Sequence, residues 1–266
     1  MTTSSKLMLT ATAALAVVLA AAPAFARGKA KAKDAEPDPK EYVWARSIDA
    51  GVVFTDGNTE TLDANYGFDF GVKNDVNAAR WTLSGLYGED RSDSDSEDED
   101  KDKTTKNKIE SEIKLERFIS ERQSAVLNFS YLRDELADLD YSFILSPAYR
   151  LYLLRNPDVL EFSAEVGPAA VWRREGDVSN DYITLRAAER FFWAFSASAS
   201  IEQTVEYLPE MGDAEGSLIN ADVTLTSAMT DHLALKATCA DKYNSAPAEG
   251  ADENDLSVTL SLQLTF

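Results

Sequence analysis

The sequence has little of what most enzymes and disulfide-stabilised exported proteins use: it contains one histidine and one cysteine. A histidine-dependent hydrolase needs its base within reach of a nucleophile, and His232 lies beside Asp231 in a predicted turn. A lone cysteine excludes an intrachain disulfide. Because Cys239 shares its strand face with Leu233 and Leu235, we expect it to be a small apolar residue rather than a reactive thiol.

Basic residues are also scarce, with 26 Lys and Arg against 46 Asp and Glu and a formal net charge of -20 at pH 7. A surface that follows nucleic-acid phosphates needs clustered Lys and Arg. We therefore expect no nucleic-acid partner. An acidic surplus suits exposed loops and attracts cations.

Long apolar runs are confined to the start of the chain. Lys6, the alanine-rich stretch at residues 7–22 and the motif Ala24-Phe25-Ala26 predict a signal peptide over residues 1–26. The alternative, a membrane anchor, would need about 20 strongly apolar residues. No later segment has the roughly 18 apolar residues of a transmembrane helix, so a mature protein in a membrane must cross it as a barrel.

Residues 27–41 are first lysine-rich and then rich in Asp and Pro, without periodicity. This composition predicts a flexible periplasmic linker. The remaining residues, 42–266, contain no second break of this kind and are expected to form one domain.

Alternation of apolar and polar residues runs through residues 42–266, and a period of two places successive side chains on opposite faces of a strand. Most alternating segments reach the about 9–11 residues that a tilted strand needs to cross a bilayer. Strands are predicted at residues 44–55, 60–73, 79–89, 105–118, 123–134, 139–153, 159–174, 181–193, 195–208, 217–228, 231–243 and 255–266.

The connections between these strands alternate between short turns and longer acidic segments, notably at residues 90–104, 208–216 and 244–254. Short turns on one side and longer loops on the other are typical of outer-membrane barrels. Aromatic residues near the strand ends fit interfacial girdles. The predicted fold is therefore an all-β, antiparallel transmembrane β-barrel of about 12 strands, with an acidic extracellular loop at residues 90–104.

The last alternating strand ends on Phe266. A terminal aromatic strand resembles the signal read by the outer-membrane barrel assembly machinery. We expect that machinery, outer-membrane lipid and lipopolysaccharide to be partners, and the bacterial outer membrane to be the location.

Three residues conflict with regular strands. Pro147 and Pro168 each remove a backbone donor, so bulges are expected near both. Glu189 has the parity of an outward-facing residue, which would be costly at mid-depth in lipid. A register shift there would remove this conflict.

Charged residues share the polar face of several strands. Opposite charges on adjoining strands can pair, which predicts ion pairs that fill a narrow barrel; the alternative is a polar pathway for small solutes. The residues concerned are Glu110, Glu112, Glu161, Glu165, Glu202, Glu206, Lys108, Lys114, Arg186 and Arg190.

The acidic loop offers alternating carboxylates at Asp93, Asp95 and Glu97. A calcium loop that starts at Asp93 would need glycine at its sixth position and glutamate at its twelfth, where Asp98 and Thr104 stand. We expect weak binding of divalent cations rather than a specific metal site. No catalytic, cofactor-binding or metal-binding residues are predicted, and no cofactor.

Several segments together resemble one known family. They are residues 54–61 (Phe-Thr-Asp-Gly-Asn-Thr-Glu-Thr), Trp81-Thr82-Leu83, residues 131–140, Glu165-Val166-Gly167-Pro168 and Thr259-Leu260-Ser261-Leu262. The sequence is similar over residues 44–266 to the family called domain of unknown function 481, some of whose members are labelled salt-induced outer-membrane proteins. The resemblance implies an outer-membrane barrel.

The expected function is non-enzymatic: a small pore or a structural membrane protein linked to salt or osmotic conditions. One alternative is a soluble periplasmic β-barrel that binds an apolar ligand, with its apolar faces inside. Another is an outer-membrane hydrolase that uses a carboxylate or serine centre without histidine, for which Asp134 and Asp138 are the residues to replace.

Overall fold

The computed structural model describes residues 42–56, 61–89, 105–135, 139–156, 158–176, 178–209, 216–245 and 253–266. These residues form twelve antiparallel strands in one closed barrel, in which each strand pairs with its neighbours in the chain. The strands are β1 (Val43–Asp56), β2 (Thr61–Lys73), β3 (Asn77–Glu89), β4 (Thr105–Ser120), β5 (Gln123–Asp134), β6 (Leu139–Asn156), β7 (Leu160–Glu175), β8 (Val178–Trp193), β9 (Ala199–Pro209), β10 (Ser217–Ala228), β11 (Leu233–Asn244) and β12 (Asn254–Thr265).

The barrel closes between its first and last strands, where Ser47 pairs with Thr265 and Asp56 pairs with Leu256. Closure removes both edges of the sheet, which would otherwise present unpaired backbone groups. The prediction of an antiparallel barrel of about twelve strands is confirmed. Among the described residues, no helix has the length and apolar character needed to cross a membrane.

The predicted strand bounds differ most at the connection between β8 and β9. A single-residue turn at Ala194 was expected, but β9 begins only at Ala199. Ser198 donates its backbone N–H to Ser196 Oγ (3.3 Å), and Ser196 donates its own to the Ala199 carbonyl (3.2 Å). Serine side chains that bond to the backbone in this way compete with strand pairing. The apolar–polar alternation of the sequence therefore continues through residues 195–198, although these residues are not part of a strand.

The two faces of the sheet differ sharply in chemistry. Ile48, Leu262 and Ile183 lie on the outer face and are 46%, 49% and 68% exposed. Arg150 and Arg186 lie on the inner face and are 5% and 4% exposed. A barrel with apolar side chains outside and charged ones inside is the reverse of a soluble barrel, so the arrangement opposes the soluble ligand-binding alternative.

The prediction of bulges beside Pro147 and Pro168 is wrong. Pro147 keeps continuous register with β5 and Pro168 with β8, and the register between β6 and β7 places the two prolines opposite each other. Neither residue has an N–H to donate. Backbone hydrogen bonds between β6 and β7 are therefore interrupted at this point on both strands, while the register stays the same on either side. Ser146 Oγ donates to the Pro168 carbonyl (3.1 Å) and satisfies it.

The register shift that would have removed the conflict at Glu189 is absent. Glu189 pairs with Ala164 on β7 and Val205 on β9 in unbroken register, so its side chain stays on the outer face. A shift by one residue would exchange the faces of β8 and expel Arg186 and Arg190 from their ion pairs inside the barrel. The inner ion pairs therefore fix the register at the expense of one outer carboxylate.

Candidate functional site: the barrel lumen

Arg150 on β6 is the centre of a buried cluster on the inner face of the barrel wall. Its guanidinium donates to Glu165 Oε1 (2.8 Å) and to Glu116 Oε2 (2.7 Å). The Tyr152 hydroxyl donates to Glu116 Oε1 (2.6 Å), which also accepts a bond from the Ser124 hydroxyl. Charged groups removed from water need partners of this kind at nearly every polar atom.

Arg186 on β8 extends the cluster around the wall. It donates to Glu165 Oε2 (2.9 Å) and forms an ion pair with Glu206 on β9, which also accepts a bond from Asn220 Nδ2 (3.2 Å). The resulting chain, Glu116–Arg150–Glu165–Arg186–Glu206, alternates in charge from β4 to β9. We call these five residues the ion-pair ladder.

Arg190, four residues further along β8, binds a second pair of carboxylates. It donates to Glu161 Oε1 (2.6 Å) and forks onto both oxygens of Glu202, at 3.1 and 2.9 Å. Planar guanidinium groups favour such two-pronged contacts with carboxylates.

The wall from β5 to β8 is packed solid beside these ion pairs. Ser124 and Ser146 are 0% exposed, and Ser163 and Thr184 are 1% exposed, although all four lie on the inner face. Polar side chains on an inner wall would be solvent-accessible if the lumen were open beside them. This side of the barrel is therefore filled by its own side chains.

The wall of β2 and β3 is different. Its inner positions include Gly67 and Asn65, which are only partly buried, and Ser84, which is exposed, whereas the inner residues Ser47, Asp49, Val53 and Ser261 on β1 and β12 are buried. Register places Gly67 directly opposite Ser84. Small side chains on β2 and β3 leave space that solvent reaches, so the lumen is accessible beside these two strands.

One ion pair spans the lumen rather than running along the wall. Lys242 Nζ on β11 lies 3.3 Å from Glu110 Oε2 on β4, and these strands are separated by four strands on one side and six on the other. By contrast, Lys236 pairs with Asp49 at 3.2 Å across only one intervening strand. The barrel is thus narrow enough for two side chains to meet across it.

The predicted lumenal charges do lie together on the inner face. Glu161, Glu202, Glu165 and Glu206 pair with the two predicted arginines, whereas Lys114 pairs along its own strand with Glu112 at 3.2 Å. The predicted set of lumenal charges did not include Arg150, Glu116, Asp49, Lys236 and Lys242. Their strand parity was a usable signal for Arg150 and Glu116, which alternate with apolar neighbours.

The residues considered for catalysis or thiol reactivity in the sequence analysis are Asp134, Asp138, His232 and Cys239. Asp134 Oδ2 lies 2.9 Å from Lys108 Nζ, and Asp138 lies outside the described residues. His232 lies in the turn before β11, where its Nδ1 is 3.1 Å from the Thr265 carbonyl oxygen. Cys239 pairs with Val223 and Val258 on the outer face, as the alternation predicted.

Within the described ranges, no cluster of three or more His, Cys, Asp or Glu side chains is arranged to hold a metal ion. The acidic segment with Asp93, Asp95, Glu97, Asp98 and Thr104 lies outside the described residues.

The closed twelve-stranded barrel has the fold of known outer-membrane porins. The structure of the NanC porin superimposes with a TM-score of 0.53 at 8% identity, over 82% of this chain and 100% of that one. The KdgM porin in complex with disordered oligogalacturonate gives a TM-score of 0.47 at 11% identity, over 83% of this chain and 99% of that one. The translocator domain of the autotransporter NalP from Neisseria meningitidis gives 0.45 at 11% identity, over 85% and 88%.

The family model described as "Protein of unknown function, DUF481" matches residues 48–266. The chain belongs to this family, which confirms the resemblance seen in the sequence. A comparison with curated proteins finds no match.

Proposed function

We propose that this protein is a non-enzymatic barrel of the bacterial outer membrane that provides a narrow passage for small solutes. The observation that carries the proposal is the inverted arrangement of the faces. Apolar side chains such as Ile183 and Leu262 point outward, while ion pairs and hydroxyl groups line the interior. This arrangement suits a lipid exterior and a polar interior.

The passage runs along the wall of β2 and β3 in this proposal. The ion-pair ladder and buried serines fill the opposite side, while Ser84 on β3 is exposed to the lumen. A barrel of this size lies between filled eight-stranded and open sixteen-stranded barrels, so a partly filled lumen is physically reasonable.

A preference for cations is part of the proposal. The described lumenal charges are largely paired within the barrel, so they bias the passage little. Residues 90–103 contain eight acidic and three basic residues, and an extracellular loop of this composition would concentrate cations at the mouth. Weak binding of divalent cations would follow at the same loop.

The remaining parts of the proposal concern export and assembly. Residues 1–26 would be removed as a signal peptide, residues 27–41 would form the periplasmic linker, and the strand that ends at Phe266 would engage the barrel assembly machinery. The acidic loop at residues 90–104 would face the exterior, where lipopolysaccharide lies. A link to salt or osmotic conditions is proposed only from the family label.

The test is fractionation of cell envelopes, followed by single-channel recording of the refolded, detergent-extracted protein in a planar bilayer. We expect extraction only with detergent and a small, discrete, cation-preferring conductance. Recovery in the aqueous fraction would contradict the membrane location. A barrel that inserts but never conducts would contradict the passage.

The route of the passage is tested by cysteine accessibility in a Cys239→Ser background. We expect a charged methanethiosulfonate reagent to modify Ser84→Cys and reduce the conductance. The matched control, Ser146→Cys on the filled side, should stay unmodified because Ser146 is 0% exposed. Equal modification of both cysteines would place the passage elsewhere.

A further inference from the structure

We propose that the Lys242–Glu110 ion pair is the constriction that limits which solutes pass through the lumen. The inference rests on the proposed passage and deepens it, because it names the part of the lumen that selects solutes by size. The solutes admitted would be hydrated monovalent ions and small uncharged molecules, and elongated or bulky solutes would be excluded.

The geometry singles out this pair among the ion pairs of the described residues. The two side chains meet at 3.3 Å from strands almost opposite each other in the barrel. The other lumenal pairs join the same strand, neighbouring strands or strands with one strand between them, as Lys108 with Asp134 and Lys236 with Asp49 do. Only a pair that crosses the lumen divides its cross-section.

The Lys242–Glu110 bridge divides the cross-section of the lumen into two unequal parts. On one side of the bridge lie β5 to β10, whose inner face carries most of the buried ion-pair ladder. On the other side lie β12 and β1 to β3, where Gly67 on β2 is partly buried and Ser84 on β3 is exposed. Solutes therefore pass beside the bridge on the second side, and the bridge forms one boundary of the opening.

The bridge is also accessible to the solution. The Lys242 and Glu110 side chains are 33% and 49% exposed, whereas Arg150 and Glu165 in the ladder are 7% and 5% exposed. A solvated pair of long side chains is weakly held in comparison with a buried, fully bonded one. Its removal should widen the opening without unfolding the barrel.

The experiment compares single-channel conductance of the refolded full barrel in potassium chloride and in tetraethylammonium chloride, a bulkier cation. We expect Lys242→Ala and Glu110→Ala each to raise the potassium conductance at least about twofold, because conductance follows the narrowest cross-section. The tetraethylammonium conductance should rise by a larger factor. The double variant should gain no more than either single variant, since both remove one shared bridge.

Two controls separate the bridge from a general effect of lost charge. Lys236→Ala removes a lysine from the same strand whose partner lies along the wall, and it should leave the ratio of the two conductances unchanged. The exchange variant Lys242→Glu with Glu110→Lys should restore the wild-type ratio.

Unchanged conductance in both alanine variants, with a conducting wild type, would overturn the constriction and leave the passage intact. Silence of every variant would overturn the passage and this inference together.

The bridge itself has a test that does not depend on conduction. In a Cys239→Ser background, Lys242→Cys and Glu110→Cys should be joined within one chain by a short bifunctional thiol reagent, seen as altered gel migration. Absence of this cross-link, while the same reagent joins Lys236→Cys to Asp49→Cys, would overturn the bridge.

Discussion

Arg150 and Arg80 both lie on the inner faces of their strands, yet their surroundings differ. Arg150 contacts two carboxylates and a tyrosine hydroxyl and its side chain is 7% exposed, whereas Arg80 pairs with Asp69 and its side chain is 51% exposed. Strand parity predicts the inner position of both residues. It does not predict which is buried, because burial depends on how far the opposite wall protrudes into the lumen.

Replacement of Arg150 by methionine should destabilise the barrel strongly. It leaves Glu116 without a cation and removes one of two cations from Glu165, and breaking a buried pair typically costs about 3–5 kcal/mol. The exposed control, Arg80→Met, should cost less than about 1 kcal/mol. Urea titration of unfolding in detergent micelles measures both changes. Equal effects of the two substitutions would contradict the buried ladder.

At the scale of strands, the close contact of β6 with β7 depends on Gly167, which lies beside the opposed prolines Pro147 and Pro168. A Cβ atom added to Gly167 would lie 2.7 Å from the Ala148 Cα atom, closer than backbone atoms can approach. The sequence indicated a disturbance here from the prolines alone. It could not show that Pro147 and Pro168 face each other, because that depends on pairing between strands rather than on either strand by itself.

The Gly167→Ala substitution should therefore lower the free energy of unfolding by about 1–3 kcal/mol, the usual cost of overpacking. Gly71→Ala is the matched control, because a Cβ atom there would meet its nearest neighbour, Ala45 Cβ, at an ordinary 3.7 Å. Urea midpoints of the two variants should separate clearly. A neutral Gly167→Ala variant would show that β6 and β7 are not in such close contact.

For the whole molecule, alternation and loop length were sufficient to predict strand number, antiparallel order and the chemistry of each face. The contact of Lys242 with Glu110 was not predictable in this way. The sequence places 131 residues between them, and only the curvature and stagger of the closed barrel bring them together. For Glu189, by contrast, strand parity alone predicted the correct outer position. The ion pairs of Arg186 and Arg190 inside the barrel fix the register of β8 that places it there.

The orientation of the faces is the central claim, and the four tryptophans of the chain report on it directly. Trp44, Trp81, Trp172 and Trp193 are all exposed, at 53%, 41%, 40% and 46%. Aromatic side chains on the outside of a membrane barrel lie near the lipid interfaces, and a soluble barrel would place the same side chains in water or in its core.

The measurement that tests this claim is tryptophan fluorescence of the wild-type protein refolded into vesicles that contain lipids brominated along their acyl chains. We expect strong quenching by the brominated lipids and weak quenching by aqueous iodide. Weak quenching by brominated lipid together with strong quenching by iodide would contradict an outward apolar face in contact with lipid.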